Sequence, residues 1–450
     1  MSIPADHAQR LVLNDEVHAR PYAQVEAPER ISYLALFAAD SGAGATVALT
    51  RLFEHMGRPV PPLDAPYVSA DLGALRLKWE RHTEFTSYTF FQRGEFGAPF
   101  ASSALDAVPA GWLATLPGET IVATQVAVAK APEQLPLAWE IAHNFAENPI
   151  VGSAVASGTA CVFTDFRVHA DRMSRFLLLD RGLGRYQTGR VVQRLLEIET
   201  YRMMALLAFP VARDVGGKIT AAERDLSALT ERMAGAGAED EPQLLNELTR
   251  LAAAVESSVS ASKYRFGAAH AYYELTRDRI RQLREERIPG LQTIGQFMER
   301  RLAPAMNTCE SVAKRQDELS ARIARSSNLL RTRVDIEREQ QNLQVLAQMN
   351  RRAKLQLRLQ QTVEGLSVAA ITYYAVGLIG YLAKAAKSLG VHVDPDLAVG
   401  VSIPVVAVDR PAALAGFRVR LTSDFGPGLC IAPCTLADGL LAGNGGFTLA

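Results

Sequence analysis

The sequence of 450 residues predicts an α+β protein: an N-terminal α/β-type cytosolic domain, a long helical coiled-coil stalk and a C-terminal transmembrane helix. Up to about Thr188 the chain mixes short strand-like segments with turn-forming residues. About 60 residues between Pro304 and Gly365 contain no Gly or Pro, and the 18 residues Leu366–Ala383 carry no charge. The predicted divisions are 1–188, 189–364, 366–383, a short second apolar segment at 397–408 and a tail at 409–450.

The first part, residues 1–188, interleaves strand and helix candidates, which favours helices layered on a sheet. Helices are predicted at Ala45–Met56 and Pro136–Ala146. Leu75, Leu77 and Trp79 alternate with charged residues, so we expect this strand to have one solvated face. The predicted strands are rich in β-branched or aromatic residues and bounded by turn formers: Ile31–Phe37, Leu72–Trp79, Phe85–Phe91, Thr120–Ala129, Thr159–Val168 and Phe176–Asp180.

The second part, residues 189–364, is predicted to be helical. The helix after Gly189 is apolar over most of its circumference, so we expect it to be buried, and Pro210 is expected to end it. Glycine and proline predict further interruptions at Gly216-Gly217, between Gly235 and Pro242, and at Pro289-Gly290.

The stretch from Pro304 to Val363 predicts one helix of roughly 90 Å at 1.5 Å per residue. Such a helix is not stable alone in water and needs partner helices from its own chain or from a second subunit. We expect a homo-oligomer formed through the stalk. Polar residues such as Asn350 and Gln360 interrupt its apolar stripe, which predicts an imperfect coiled coil. The stripe residues, at three-to-four spacing, are Ile323, Leu330, Val334, Leu343, Leu346, Ala353 and Leu357.

The third part begins with Leu366–Ala383, which meets the lower length of a membrane-spanning helix. A buried hairpin helix of a soluble protein is the alternative. The preceding stretch, Gln340–Val363, contains no acidic residue, and the positive-inside rule then places the N-terminal region in the cytoplasm. Its four basic residues are Arg351, Arg352, Lys354 and Arg358.

The remainder of the chain predicts no second firm span. Leu397–Val408 has only 12 uncharged residues before Asp409-Arg410-Pro411, too few to cross a bilayer as a helix. We therefore expect residues 409–450 to form a poorly ordered tail in the periplasm, where Cys430 and Cys434 could be oxidised.

Composition excludes several classes of protein. Lys+Arg and Asp+Glu are equal at 48 each and hydrophobic residues make up 48%, so the chain is neither a disordered acidic protein nor a generally basic one, and no nucleic-acid partner is expected. The 4 cysteines form no CxxC pair, which argues against a disulfide scaffold and a structural zinc module. The first ten residues lack an apolar run, so no cleaved secretory signal is expected.

The N-terminal cluster of titratable residues is a candidate ligand site. Asp15, Glu16, His18 and Arg20 fall within Asn14–Pro21. The carboxylates and imidazole could ligate a divalent cation, or His18 could shuttle protons beside Glu16. An N-terminal segment held by an Asn/Asp turn and an Arg–carboxylate pair is the plainer alternative.

A second candidate cluster consists of Glu80, His82 and Glu84. Because an extended strand repeats every two residues, these side chains are expected to share one face and could meet a ligand. A solvated sheet face with local ion pairs is the alternative. No catalytic residue and no cofactor is identified, since GxSxG, HExxH and kinase signatures are all absent.

Two further patterns have weaker implications. Gly182–Gly189 lies between a strand and a helix, as a phosphate loop would, but it contains neither GK[ST] nor GxGxxG. Within the apolar helix, Glu199 and Arg202 are three residues apart, which predicts a structural ion pair.

Four of these segments also resemble a family of uncharacterised proteobacterial membrane-anchored proteins that share a domain of unknown function. The resemblance extends from about Leu11 to Val408, and it implies membrane anchoring near the C-terminus, with a second apolar segment and a basic ending. After Val408 the sequence departs from that pattern. The segments are NDEVHARP at Asn14–Pro21, WERHTEF at Trp79–Phe85, LLEIETYRMMALLAFPVAR at Leu195–Arg213 and LQLRLQQTVEGLSVAAITYYAVGLIGYLAK at Leu355–Lys384.

The order of parts also resembles the layout of CorA-type magnesium channels, but the Gly-Met-Asn signature of those channels is absent. The function expected is therefore that of a bacterial inner-membrane-anchored protein with a cytosolic sensing or scaffolding domain. A CorA-like divalent-cation transporter is the first alternative. A membrane-bound enzyme using Glu80, His82 and Glu84 is the second.

Overall fold

A computed structural model describes residues 6–18, 21–37, 43–62, 66–134, 136–237, 239–390, 392 and 394–408, with the side chains of 15–18, 43 and 407–408 left out. The chain divides into two compact units, Met1–Asp335 and Ile336–Ala450. The predicted tail at 409–450, with Cys430 and Cys434, lies outside the described residues.

The first unit contains a nine-stranded mixed sheet of order β2-β3-β4-β1-β5-β8-β7-β6-β9. The β5–β8 pair is parallel, and the other adjacent pairs are antiparallel. The mixed sheet and its helices confirm the α+β class. The strands are β1 (Glu29–Phe37), β2 (Tyr67–Asp71), β3 (Arg76–Arg81), β4 (Phe85–Arg93), β5 (Glu119–Lys130), β6 (Val151–Val155), β7 (Ala160–Thr164), β8 (Ser174–Asp180) and β9 (Glu286–Arg287).

The helices between the first eight strands are short, and those that follow β8 are mostly long. Three 3-10 helices, at Ala104–Ala107, Trp112–Thr115 and His143–Phe145, lie between strands. The α-helices are α1 (Arg10–His18), α2 (Ala43–His55), α3 (Ala138–Ala142), α4 (Arg185–Leu206), α5 (Ala208–Gly235), α6 (Glu241–Leu283), α7 (Ile294–Arg301), α8 (Ala303–Ser388) and α9 (Pro395–Val408).

Helices cover both faces of the sheet. On one face α4 joins the sheet residues in a core that continues through α5, α6, α7 and the first part of α8, as far as Leu330. On the other face α2 packs against one end of the sheet and α3 against the other. Because α4 to α7 share a core with the strands, the first unit continues past residue 188, the predicted boundary.

Several expectations about these elements were wrong in detail. Residues 72–75 of the predicted strand Leu72–Trp79 form the turn between β2 and β3, and only its second half is strand. The solvated face expected for this strand is instead covered by α4, so that Lys78 and Glu80 are only 5% and 8% exposed. The break expected at Pro210 occurs at Leu207, because proline is tolerated in the first turn of α5, and Gly216-Gly217 lies inside that helix.

The second unit contains the later part of α8, from Ile336, and α9. A methyl group on Gly380 would lie 3.0 Å from a side-chain methyl of Val399, so the two helices pack closely at that point. One helix of the described residues is long and apolar enough to cross a membrane, by length and composition. Its apolar window has a mean hydropathy of 1.7 and is only 6% buried.

Candidate functional site

A cavity of about 360 Å³ lies in the first unit between one face of the sheet and helices α4 and α6. The chain just before β1 closes it on a further side, through Tyr22 and Ala23. Seventeen residues line it: Tyr22, Ala23, Tyr33, Lys78, Glu80, His82, Phe85, Thr89, Phe91, Gly189, Val192, Gln193, Leu196, Glu197, Thr200, Tyr201 and Arg279.

The floor of the cavity is formed by β3, β4 and β1. Lys78 of β3 is opposite Thr89 of β4, which is opposite Tyr33 of β1. Cross-strand partners point to the same side of a sheet, so these three polar side chains form one row facing the helices. Glu80 is two residues beyond Lys78 and therefore lies on the same face.

One stripe of α4 forms the wall opposite the sheet. Gly189, Gln193, Glu197 and Tyr201 repeat every four residues, so they lie along one side of the helix. Val192, Leu196 and Thr200, set one residue before them, complete the lining. Together these residues supply an amide, a carboxylate and two hydroxyls, while charged residues such as Arg190 and Arg194 lie elsewhere on the helix.

A continuous chain of charged and amide groups runs along the lining. Lys78 Nζ lies 3.0 Å from Glu80 Oε1 and donates a hydrogen bond of 3.0 Å to Gln193 Oε1. Gln193 Nε2 donates to Glu197 Oε1 at 2.9 Å, and Arg279 Nε donates to Glu197 Oε2. This hydrogen-bonded chain joins a strand to two helices and includes every Lys, Arg, Asp and Glu residue of the cavity lining.

Tyr33 is a neutral hydroxyl group at the floor of the cavity. Burial raises the pKa of its phenol far above the ordinary value, although a hydrogen bond with Thr200 acts in the opposite direction. The oxygen atoms of Tyr33 and Thr200 are 2.9 Å apart. Tyr33 can therefore contribute a hydrogen bond but not a negative charge.

Arg190 and Arg194 follow the lining residues Gly189 and Gln193 on α4. Burial lowers the pKa of the Arg194 guanidinium. Tyr22 and Glu197 act to raise this pKa, and the positive charges of Arg190 and Arg279 lower it further. These groups are therefore near enough to interact electrostatically. Arg190 and Arg194 lie one turn apart on α4, which adds two positive charges beside the lining.

Gly189 allows the segment before β1 to approach α4 closely. The backbone N–H of Val25 donates to the carbonyl of Arg185 at 3.1 Å, and Gln24 Nε2 donates to the hydroxyl of Tyr186 at 3.0 Å. A Cβ on Gly189 would be 1.7 Å from the carbonyl oxygen of Ala23. Because Gly189 has no side chain, the segment that encloses the cavity can lie directly against α4.

The structure brings Glu80 and His82 into the cavity but gives Glu84 another role. Glu84 is outside the lining and accepts two hydrogen bonds, of 2.7 and 3.1 Å, from Arg265 of α6. It also interacts with Tyr272, whose pKa is raised by burial and then by this carboxylate. Glu84 therefore connects the β3–β4 turn to α6.

The expectation that the three residues share one strand face was wrong. β3 ends at Arg81 and β4 begins at Phe85, so His82 and Glu84 belong to the hairpin turn. The backbone N–H of His82 closes the turn on the Phe85 carbonyl at 2.9 Å, and the two rings stack with their centroids 4.2 Å apart. A tight turn redirects the chain, and the period-two rule does not extend across it.

The N-terminal candidates cannot be placed in the same way. The side chains of Asp15, Glu16 and His18, and the whole of Arg20, lie outside the described residues. Among the residues that the structure describes, no group of three or more His, Cys, Asp or Glu side chains is arranged to hold a metal ion.

The Gly182–Gly189 segment has a structural role in the first unit. Asp180 Oδ1 accepts hydrogen bonds from the backbone N–H groups of Gly182 and Leu183, at 2.8 and 2.7 Å. These donors, which a phosphate would need, are already engaged by the chain's own carboxylate. The expected ion pair between Glu199 and Arg202 is present as a two-bond contact of 2.5 and 2.7 Å.

Sequence reasoning missed most of the lining. Lys78 was assigned to a solvated face, and Tyr33, Gln193 and Arg279 were not identified as candidates. A signal for part of the wall was present, because Gln193, Glu197 and Tyr201 are polar residues spaced four apart in a helix with many buried apolar residues. No local signal pointed to Arg279, which reaches the cavity from α6.

The chain belongs to the DUF3422 family, described as a protein of unknown function, whose family model matches residues 5–418. No curated protein and no solved structure is significantly similar to it. The family match fits the expectation of an uncharacterised domain and assigns no activity to the cavity.

Proposed function

We propose that this protein is an inner-membrane-anchored sensor whose cytosolic first unit binds a small molecule in the cavity on α4. The observation that carries the ligand-binding part is the charged chain from Glu80 to Arg279 along the cavity lining. Burying ions costs several kcal/mol each unless they are well paired, and a packed apolar core would avoid that cost. Such groups facing an open volume are typical of a binding site.

The dimensions of the cavity support the same proposal. At about 360 Å³ it lies near the lower end of the roughly 300–1,000 Å³ found for ligand pockets. Its lining combines aromatic and aliphatic side chains with a few convergent polar groups. That combination suits a small molecule better than a macromolecular surface.

Membrane anchoring is supported by the exposure of an apolar helix. Leu366, Ile371 and Leu378 of α8 are 73%, 44% and 64% exposed. The core helix of a soluble protein would bury such residues, whereas a bilayer covers them without a protein partner. α9 has 14 residues and, at about 1.5 Å per residue, is about 21 Å long, shorter than the roughly 30 Å of hydrocarbon.

Orientation follows from the basic residues before the apolar segment. Arg351, Arg352 and Lys354 lie within about four turns of Leu366 and have no acidic neighbour between Gln340 and Val363. The positive-inside rule keeps such residues in the cytoplasm, together with the first unit. With a single span at Leu366–Ala383, the chain after Val408 lies in the periplasm.

Extraction and topology experiments test the anchor. After alkaline carbonate treatment of membranes, the full-length protein is expected in the pellet, and release into the soluble fraction would contradict anchoring. Alkaline phosphatase fused after Ala450 is expected to be active. Loss of that activity, with fluorescence from a cytoplasmic reporter at the same position, would indicate two crossings.

A thermal-shift experiment tests the cavity as a ligand site. Full-length protein in mild detergent is screened against anionic, cationic and neutral small molecules, alongside Val192→Phe, which fills part of the cavity. A ligand at 100 times its Kd stabilises by about 2.7 kcal/mol, so a rise in Tm is measurable. We expect a shift with at least one class that is lost in the variant; no shift with any class contradicts the proposal.

A second copy of the chain is the partner that we propose for α8. Ile336, Leu343, Asn350 and Leu357 follow one another at seven-residue intervals, and all four side chains are exposed. Apolar residues at this interval form the seam of a coiled coil, and one Asn in the seam selects a register with an identical helix. The spacing therefore favours self-association over a different partner.

A further inference from the structure

We propose that the ligand of the cavity is a small organic monoanion, a carboxylic acid with an apolar body. This inference rests on the proposed function, because it assumes that the cavity holds a ligand, and it adds the chemical class. Three features of the first unit support it: the balance of charge, the hydrogen-bond donors that remain, and the apolar surfaces.

The lining itself is balanced in charge, and Arg190 and Arg194, which follow the lining residues Gly189 and Gln193 on α4, add positive charge beside it. Within the lining, Lys78 and Arg279 are matched by the carboxylates of Glu80 and Glu197. A ligand with one negative charge offsets part of the added positive charge, whereas a cation would increase it.

The charged chain leaves donors for an incoming carboxylate. An ammonium group has three N–H donors, and Lys78 uses two of them toward Glu80 and Gln193. A guanidinium has five, and Arg279 donates to Glu197 and, at 3.4 Å, to Gln282. Lys78 on β3 and Arg279 on α6 both line the cavity, and the carboxylate of the ligand accepts from both.

Apolar surface around these donors suits an organic body. Phe85 and Phe91 come from the sheet, and Val192 and Leu196 come from α4. Burying a ring or short aliphatic chain between them removes apolar surface from water, which favours binding. The body of the ligand therefore packs on these four side chains while the charged group contacts Lys78 and Arg279.

A carboxylate fits this cavity better than a phosphate. Phosphate sites usually draw on backbone N–H groups at a helix N-terminus. The start of α4 is outside the cavity lining, and there Asp180 accepts from Gly182 and Leu183, and Gln187 accepts from Gly184. The donors left to a ligand are side chains, which match the smaller charge of a carboxylate.

Three probes of nearly equal size separate the charge classes: benzoate, benzamide and benzylammonium. Their Kd values are measured by calorimetry on the full-length protein in mild detergent, with inorganic phosphate as a competitor. We expect benzoate to bind at least about tenfold more tightly than the other two, and phosphate not to displace it. Equal or tighter binding of benzamide or benzylammonium, displacement by phosphate, or no binding of benzoate overturns the inference.

Variants of Arg279 locate the carboxylate. Arg279→Gln is expected to weaken benzoate binding about tenfold and Arg279→Lys to restore most of it, with benzamide unchanged in both. Arg277→Gln, on the same helix, removes an exposed pair with Glu274 at 2.9 Å and is expected to leave all three Kd values unchanged. If Arg279→Gln binds benzoate as tightly as wild type does, the proposed contact between Arg279 and the ligand carboxylate is refuted. Unfolding curves verify that each variant is folded.

The result also separates this inference from the proposed function. If cations or neutral molecules shift the Tm of wild type but not of Val192→Phe while benzoate fails to bind, the cavity remains a ligand site of another class. If no molecule of any class does so, the ligand site itself is refuted.

Discussion

A Cβ atom on Gly189 would lie 1.7 Å from the carbonyl oxygen of Ala23, so helix α4 and the segment before β1 meet backbone to backbone. No rotamer change relieves such a clash, because the obstacle is main chain. Both residues also line the cavity. The dimensions of the cavity therefore depend on this contact.

The first prediction is that Gly189→Ala pushes α4 and the segment before β1 apart. We expect it to lower the free energy of unfolding by about 3 kcal/mol, the upper end for overpacking, as measured by urea denaturation. Gly217→Ala, inside α5 with nothing within 4 Å of the new Cβ, is the matched control and should raise stability by up to about 1 kcal/mol. Equal effects of the two substitutions would contradict the close approach.

The buried pair on β3 gives a second prediction. Lys78→Met leaves the Glu80 carboxylate buried without its ammonium partner, so we expect a loss of about 3 kcal/mol in unfolding free energy. Lys78→Met combined with Glu80→Leu removes both charges and is expected to recover much of that loss. A double variant less stable than the single one would show that Glu80 has another essential partner.

Asp180 provides a prediction about pH. Its burial would raise the pKa, but Lys130 and the N–H groups of Gly182 and Leu183 lower it below the ordinary 3.8. Because the folded-state pKa is the lower one, the stabilisation is present above pH 3.8 and is lost as the pH falls through the folded-state value.

Asp180→Asn is accordingly expected to cost about 2 kcal/mol at pH 7, and the difference from wild type should shrink below pH 3.8. Urea denaturation at several pH values measures it. Asp214→Asn removes an exposed pair with Lys218 and is expected to change stability by less than about 0.5 kcal/mol. If the difference in unfolding free energy between Asp180→Asn and wild type persists at the lowest pH, the ionised carboxylate of Asp180 is not its cause.

Self-association through α8 is the fourth prediction. In light scattering of the detergent-solubilised protein we expect more than one chain per particle. The double variant Leu343→Asp and Leu357→Asp is expected to shift the number of chains per particle toward one. Leu359→Asp replaces an equally exposed leucine outside the seven-residue series and should leave the assembly unchanged. A wild-type protein that scatters as a single chain would contradict the proposed seam.

The sequence by itself determined the local elements of this protein. Short runs rich in β-branched and aromatic residues between turn formers predicted β1, β4 and β5, and the absence of Gly and Pro after Pro304 predicted the long helix, because both patterns depend on near neighbours in the chain. It also pointed to Glu80 and His82. It could not recognise the turn between β3 and β4, since no Gly or Pro marks that turn.

Only the tertiary structure decided which faces are covered and which side chains meet. The alternation in β3 is the same whether water or α4 lies over Lys78 and Glu80. The helix is held there by contacts between residues more than 100 positions apart in sequence, such as Lys78 and Gln193. Arg279 joins Glu197 across 82 positions. Periodicity describes one segment at a time, and a cavity between three segments arises only from their packing.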